Sequence, residues 1–222
     1  MICVSLAGRD FPSALDLARK VASQADLFEI RLDALERPVI GPFFEHLSHP
    51  LIFTFRAKEE GGFREETLSL RLSLLKEAAQ MGAMAVDLEL AAGKEAISHL
   101  KEGLGKTKLI LSFHDFEGSP SFSRLQEIAT SMKRLGADWG KIVITARHPE
   151  EALEVLRLIP WAKKELGLPL IAFAMGEAGR FSRLVCLLLG APLTYAAPEE
   201  GHQAAPGQIT AARLKEMLAF FK

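Results

Sequence analysis

Phe28-Glu29-Ile30-Arg31-Leu32-Asp33 carries a charge at every odd position and an apolar side chain at every even one, and Val86-Asp87-Leu88-Glu89-Leu90 repeats the pattern. Leu111-Ser112-Phe113-His114 alternates likewise, and Lys141-Ile142-Val143-Ile144-Thr145 does so more weakly. Side chains on a strand point alternately to opposite faces. In a parallel barrel the outer face packs against helices and must be apolar. The charges of these runs then point into the barrel interior, where they are costly unless paired or used. Several inward charges on neighbouring strands make a convergent polar site, and the upper ends of such strands are where barrel enzymes hold their chemistry.

Outward from these runs the whole chain follows one alternation. Short β-rich apolar segments fall at 2–6, 27–32, 51–55, 85–90, 108–113, 141–145, 170–174 and 192–195. Amphipathic helical patterns lie between and after them, at 13–24, 41–47, 65–81, 94–103, 121–135, 149–166, 178–189 and 211–221. Eight strands alternating with eight helices imply parallel pairing through helical crossovers. In a chain of 222 residues they predict a single (β/α)8 barrel domain over 1–222. An open doubly wound sheet is the alternative, but no Gly-x-Gly-x-x-Gly follows the first strand.

Composition narrows the function. Hydrophobic residues make up 49% and charged residues 25%, and 27 Lys+Arg against 28 Asp+Glu leave a net charge of −1. A disordered chain lacks this apolar content, and a nucleic-acid binder needs a basic excess. The start, MICVSLAGRD, lacks the basic and long apolar regions of a signal peptide, and no run of about 18 apolar residues could span a bilayer. A cytoplasmic protein without membrane or nucleic-acid partners is expected. Cys3 and Cys186 each lie in an apolar run and read as buried thiols. The chain has no Asn and only five Gln, a depletion of thermolabile amides that points to a thermophilic source.

Lys141 opens a strand with inward parity. A neutral lysine can attack a ketone to form a Schiff base, whereas a structural lysine there would pair with Glu89 or Asp87. His114 ends the fifth strand, also inward, and imidazole is suited to moving protons near neutral pH. His46, His49, His99, His148 and His202 fall on helices or loops and are weaker candidates. Carboxylates abound at Glu29, Asp33, Asp87, Glu89, Glu59 and Glu60. Arg31, Arg56, Lys141 and Arg183 compete with a divalent cation for them, so a metal-free site is expected. Arg56 and Arg183 could grip an anion through their planar donor forks. The loop 200–208 suits a mobile lid, or is simply a long connection.

These residues together resemble the type I 3-dehydroquinate dehydratases of the shikimate pathway, over essentially the whole chain. The motifs are Glu29-Ile30-Arg31-Leu32-Asp33, Phe53-Thr54-Phe55-Arg56 with Glu60-Gly61-Gly62, Asp87-Leu88-Glu89-Leu90, Ser112-Phe113-His114-Asp115-Phe116, Gly140-Lys141-Ile142, Phe181-Ser182-Arg183-Leu184 and Ala205-Pro206-Gly207-Gln208. Each is short, but seven in order are specific. The resemblance implies a (β/α)8 barrel, commonly a homodimer, that uses no metal or cofactor and dehydrates 3-dehydroquinate to 3-dehydroshikimate through a lysine Schiff base. It implies that Lys141 forms the imine, that His114 transfers protons and that Glu60 supports it, a role the residues alone would give to Glu89. It matches Arg183 and Gln208 to carboxylate binding, Glu29, Arg31 and Arg56 to the substrate hydroxyls, and Ser5 to a binding serine on the first strand. Two departures stand out: Ala204 occupies the place of a substrate-contacting lid serine, and the chain begins directly with strand one, without the family's N-terminal hairpin.

Three other readings bear on the same residues. A class I aldolase would use the same lysine but favours a glycine-rich phosphate cradle after strand seven or eight, which is not evident. A silent binder of a carboxylate metabolite would have no need of Lys141, His114 and Glu60 together. A metal-dependent hydrolase would lose activity in chelator.

Overall fold

The alternation resolves into a nearly closed barrel in the computed structural model, which describes residues 1–221. Its strands are β1 (Ile2–Leu6), β2 (Leu27–Arg31), β3 (Leu51–Thr54), β4 (Ala85–Glu89), β5 (Lys108–His114), β6 (Trp139–Thr145), β7 (Leu170–Met175) and β8 (Thr194–Ala196). Each is followed by a helix: α1 (Phe11–Val21), α2 (Gly41–His46), α3 (Leu68–Gln80), α4 (Lys94–Lys101), α5 (Phe122–Arg134), α6 (Pro149–Trp161), α7 (Ser182–Leu188) and α8 (Ala211–Ala219). All pairings are parallel, in the order β7-β6-β5-β4-β3-β2-β1-β8. This is the expected (β/α)8 barrel. Among the described residues no ladder joins β7 to β8, and that seam is crossed instead by side chains: the Phe173 and Tyr195 rings lie 6.3 Å apart.

Strand parity works as the sequence dictates. Phe28, Ile30, Val86 and Leu88 are fully buried in the apolar packing. Their odd-numbered neighbours Glu29, Arg31, Asp87 and Glu89 are buried too, but in a polar interior. Register aligns Ser5 with Glu29, Thr54 with Asp87, and Ser112 with both Glu89 and Lys141, so polar side chains stack in adjoining rows.

Several boundaries differ from the expectation, for identifiable reasons. β6 starts at Trp139, two residues early, so Lys141 lies within the strand rather than at its mouth or floor. Helix α1 starts at Phe11 because Asp10 is the cap and Ser13 closes a reciprocal capping box with it. Thr67 caps α3, which begins at Leu68 rather than at 65. Pro160 lies within the last turns of α6, where it has no N–H to donate, and the chain continues as a wider π turn over Ala162–Leu166. Ser121 caps α5, which begins at Phe122. Cys3 and Cys186 are buried free thiols, and no described helix is long and apolar enough to cross a membrane.

Candidate active site

A cavity opens among the C-terminal ends of the strands. All nine residues to which the family resemblance gives roles line it: Ser5, Glu29, Arg31, Arg56, Glu60, His114, Lys141, Arg183 and Gln208; the candidate carboxylates Asp33, Glu59, Asp87 and Glu89 do not.

Lys141 projects from the middle of β6 to within 3.0 Å of Asp87 Oδ2 and 3.8 Å of a Glu29 oxygen. Its Nζ also sits 4.1 Å from the centre of the Tyr195 ring. Burial alone would raise the Asp87 carboxyl, but Arg56 and Lys141 hold it well below the usual carboxylate range. Glu29 is fixed by hydroxyls, accepting from Ser5 at 2.7 Å and from Thr54 at 2.8 Å.

His114 ends β5 beside Glu60, which a short 3-10 turn (Lys58–Glu60) after β3 lifts across the strand ends. One carboxylate oxygen of Glu60 accepts the His114 backbone N–H at 3.0 Å and lies 2.9 Å from Nδ1. With Glu60 ionised this oxygen can only accept, so in that state Nδ1 carries the hydrogen and Nε2 keeps its lone pair. Burial, reinforced by the cations Arg56 and Lys141, holds the imidazole well below its ordinary pKa, so it is neutral near pH 7. Burial pushes the Glu60 carboxyl up to about 7, against the pull of Arg56. Asp115, beside the histidine, turns away and caps a loop through the Glu117 and Gly118 amides. The other five histidines do not line the cavity.

The residue-only expectation that Glu89 supports the histidine does not hold. Glu89 accepts from Arg56 at 3.0 Å, from the Ala57 amide at 2.9 Å and from Arg71. Arg56 in turn reaches Asp87 at 2.8 Å, so its charge is shared between two carboxylates. Arg31 is gripped by both oxygens of Asp33 at 3.0 and 2.6 Å.

Arg183 contrasts with both. It is 1% exposed, and among the described residues it forms no ion pair. Its donors reach only the carbonyls of Pro206 at 3.2 Å and Tyr195 at 3.5 Å, its Nε has no partner, and its guanidinium lies 4.4 Å over the Phe173 ring. Burial without a counter-charge pushes its pKa down to about 10. Nearby, Gln208 accepts the Ala204 N–H at 2.7 Å through Oε1, which leaves its NH2 to donate. Gly207, at φ 74°, lets this loop lie against Gly176 after β7; a Cβ there would meet the Gly176 oxygen at 2.7 Å. Ala204 lines the cavity without a hydroxyl.

Two contributors escaped the sequence reading. Tyr195 is the chain's single tyrosine and faces the cavity from β8. Arg71 is buried on α3 in line with Leu75 and Ala78, and a basic residue on an apolar helical stripe was its visible signal.

A profile of the type I 3-dehydroquinase family matches residues 2–222. The 3-dehydroquinate dehydratase of Desulfotalea psychrophila is 40% identical over 220 residues, covering 98% of this chain and 96% of its own. That of Methanocaldococcus jannaschii is 34% identical over 219 residues, covering 98% and 97%. A crystal structure of the Geobacillus kaustophilus 3-dehydroquinate dehydratase superposes with a TM-score of 0.90 at 30% identity, covering 99% of this chain and 90% of that one. The type I enzyme of Clostridium difficile, solved with covalent modified comenic acid, gives 0.90 at 29% identity, covering 99% and 91%. Seven motifs in order, a (β/α)8 barrel that brings six of them to one cavity, with Asp87 of the seventh paired to Lys141, and a match over nearly the full length agree: the chain belongs to the type I 3-dehydroquinase family.

Proposed function

We propose that this protein removes water from 3-dehydroquinate to give 3-dehydroshikimate, through an imine on Lys141, in the biosynthesis of chorismate and the aromatic amino acids. The observation that carries the reading is one cavity that holds a buried lysine, a histidine paired with Glu60 and an arginine with no counter-charge. The chemistry explains why each is needed. The leaving hydroxyl is β to a ketone, and elimination requires loss of a proton from the weakly acidic carbon between them. Lys141 bonds the ketone carbon and the ketone oxygen leaves as water, so the resulting iminium draws electrons from that carbon. His114 Nε2 takes the proton and the carbanion is held as an enamine. The imidazolium then returns a proton to the departing hydroxyl, and water hydrolyses the conjugated imine to release the enone and restore the amine. Glu60 fixes the imidazole and offsets its charge in the protonated state.

Arg183 and the Gln208 amide would hold the substrate carboxylate, with Glu29, Arg31, Arg56 and Ser5 around its hydroxyls. The reading makes residues 1–222 a single catalytic domain, working without metal or cofactor as a cytoplasmic homodimer. Sedimentation tests the dimer, and activity retained in chelator tests the metal.

The decisive experiment is borohydride reduction in the presence of 3-dehydroquinate, followed by peptide mapping. One ligand-sized adduct on the peptide containing Lys141, absent from Lys141→Ala, is the expected result. A label on another lysine, or full activity without a label, overturns the imine. Formation of the conjugated product, followed by absorbance, separates dehydration from silent binding and from aldol cleavage.

A further inference from the structure

Tyr195 lies at the centre of β8, in register with Cys3, and is 3% exposed. Its ring faces Lys141, with Nζ 4.1 Å from the ring centre, well inside the range of cation–π attraction. Its hydroxyl is buried and without a hydrogen-bond partner, whereas most buried hydroxyls have one. The hydroxyl is tied to no other protein group, and what the residue brings to Lys141 is its aromatic face. Burial, followed by the negative charges of Glu29 and neighbouring groups, raises the phenol well above its ordinary pKa. The ring is thus a neutral quadrupole and not a phenolate.

The consequence follows from counting hydrogens on the reacting nitrogen. As an ammonium, Lys141 has three N–H donors, one of them directed at Asp87 at 3.0 Å. When the nitrogen bonds the ketone carbon, two of these hydrogens leave with the ketone oxygen as water. The iminium keeps the positive charge but a single N–H. Hydrogen-bond acceptors lose most of their hold at that point, whereas a ring face needs no N–H to attract a cation. The charge leaves the nitrogen when the enamine forms and returns when the hydroxyl departs, so the ring favours the two iminium states on either side.

Resting on the Schiff-base reading above, we propose that Tyr195 is a further catalytic residue of this site, whose ring face stabilises the Lys141 iminium. A desolvated cation–π contact is worth up to roughly thirtyfold in an equilibrium. The test is the fraction of chain carrying the borohydride-reduced adduct at subsaturating 3-dehydroquinate. It is measured for the wild type, Tyr195→Phe, Tyr195→Leu and a series with mono-, di- and trifluorinated phenylalanine at position 195. Fluorines withdraw the ring's negative face while nearly preserving its shape, so a packing role does not track them. Tyr195→Phe should stay within about twofold of wild type, since the hydroxyl has no partner. Successive fluorines should lower the adduct fraction stepwise, to about tenfold or more below Tyr195→Phe with the trifluoro ring. Tyr195→Leu should fall as far, its folding checked by thermal melting. An adduct at Lys141 whose yield ignores fluorination overturns this inference and leaves the Schiff base standing. A wild type that gives no adduct at Lys141 overturns both.

Discussion

Arg183 is held in place by two carbonyls and a phenylalanine ring, with no carboxylate to neutralise it. A charged group kept in that state is poised for an anion, and its fork suits a carboxylate. Charge-assisted bonds of this kind contribute about 1.5–3 kcal/mol, so Arg183→Ala should raise KM by roughly 10–100-fold. Gln208→Ala removes a neutral donor and should raise it less; unchanged KM and kcat there would reduce the 201–208 loop to a connection. The proton side is equally specific. With Glu60 pushed up to about 7, the carboxylate that the proposed mechanism pairs with a His114 imidazolium becomes available only as pH rises through that value. A kcat–pH profile should rise through about 7, and Glu60→Gln should abolish that limb. Stability moves the other way. Glu60 holds its proton more tightly when folded, so its contribution is full below its ordinary 4.5 and is lost as pH rises toward about 7. Asp87 is depressed, and its contribution is present above 3.8 and lost as pH falls below it. Much of this site was legible because strand parity announces which charges face inward. Glu60 was legible only through the family motif, because a loop residue has no parity, and which of several carboxylates meets the histidine depends on how a three-residue turn folds. Tyr195 was hidden because an aromatic on a short apolar strand reads as core.

At the scale of the element, the turn carrying Glu60 has almost no slack. Gly61 ends it at φ 83°, where a Cβ would meet the Phe116 ring. A Cβ on Gly62 would sit 2.2 Å from the Arg56 carbonyl oxygen and 2.8 Å from that of Ala57, both backbone atoms that cannot swing aside. Gly62→Ala should therefore displace the turn and separate Glu60 from His114. A shift of about 1 Å in a catalytic group costs on the order of 10²-fold in rate, so kcat should fall by about that much while the far-UV spectrum is retained. Glu59→Ala, an exposed neighbour on the same turn, should leave kcat unchanged. The elements themselves were legible from period-2 and helical patterning, and their ends were not. Asp10 and Thr67 compete with nearby residues of similar capping power, and only the local hydrogen bonds decide which of them starts the helix.

For the whole molecule, the absence of Asn and the scarcity of Gln lead to a prediction about heat. The melting temperature should exceed the mesophilic range of about 45–65 °C; a value inside it assigns the composition to genome bias. The barrel count was legible because eight alternating units leave little else to build, but its incomplete closure was not, since β8 has only three residues to offer and pairing partners leave no mark on a single strand. That seam has a consequence for how the molecule breathes. A ring with one cut opens at the cut, so local opening should be easiest along the facing edges of β7 and β8, and their amides should exchange with deuterium faster than those of β4 and β5. Arg183 follows one lip, and the loop bearing Gln208 follows the other and rests on Gly176. A ligand gripped by both stitches the slit, so the reduced adduct on Lys141 should slow exchange along these two lips more than anywhere else in the barrel, turning occupancy of the site into rigidity of the wall.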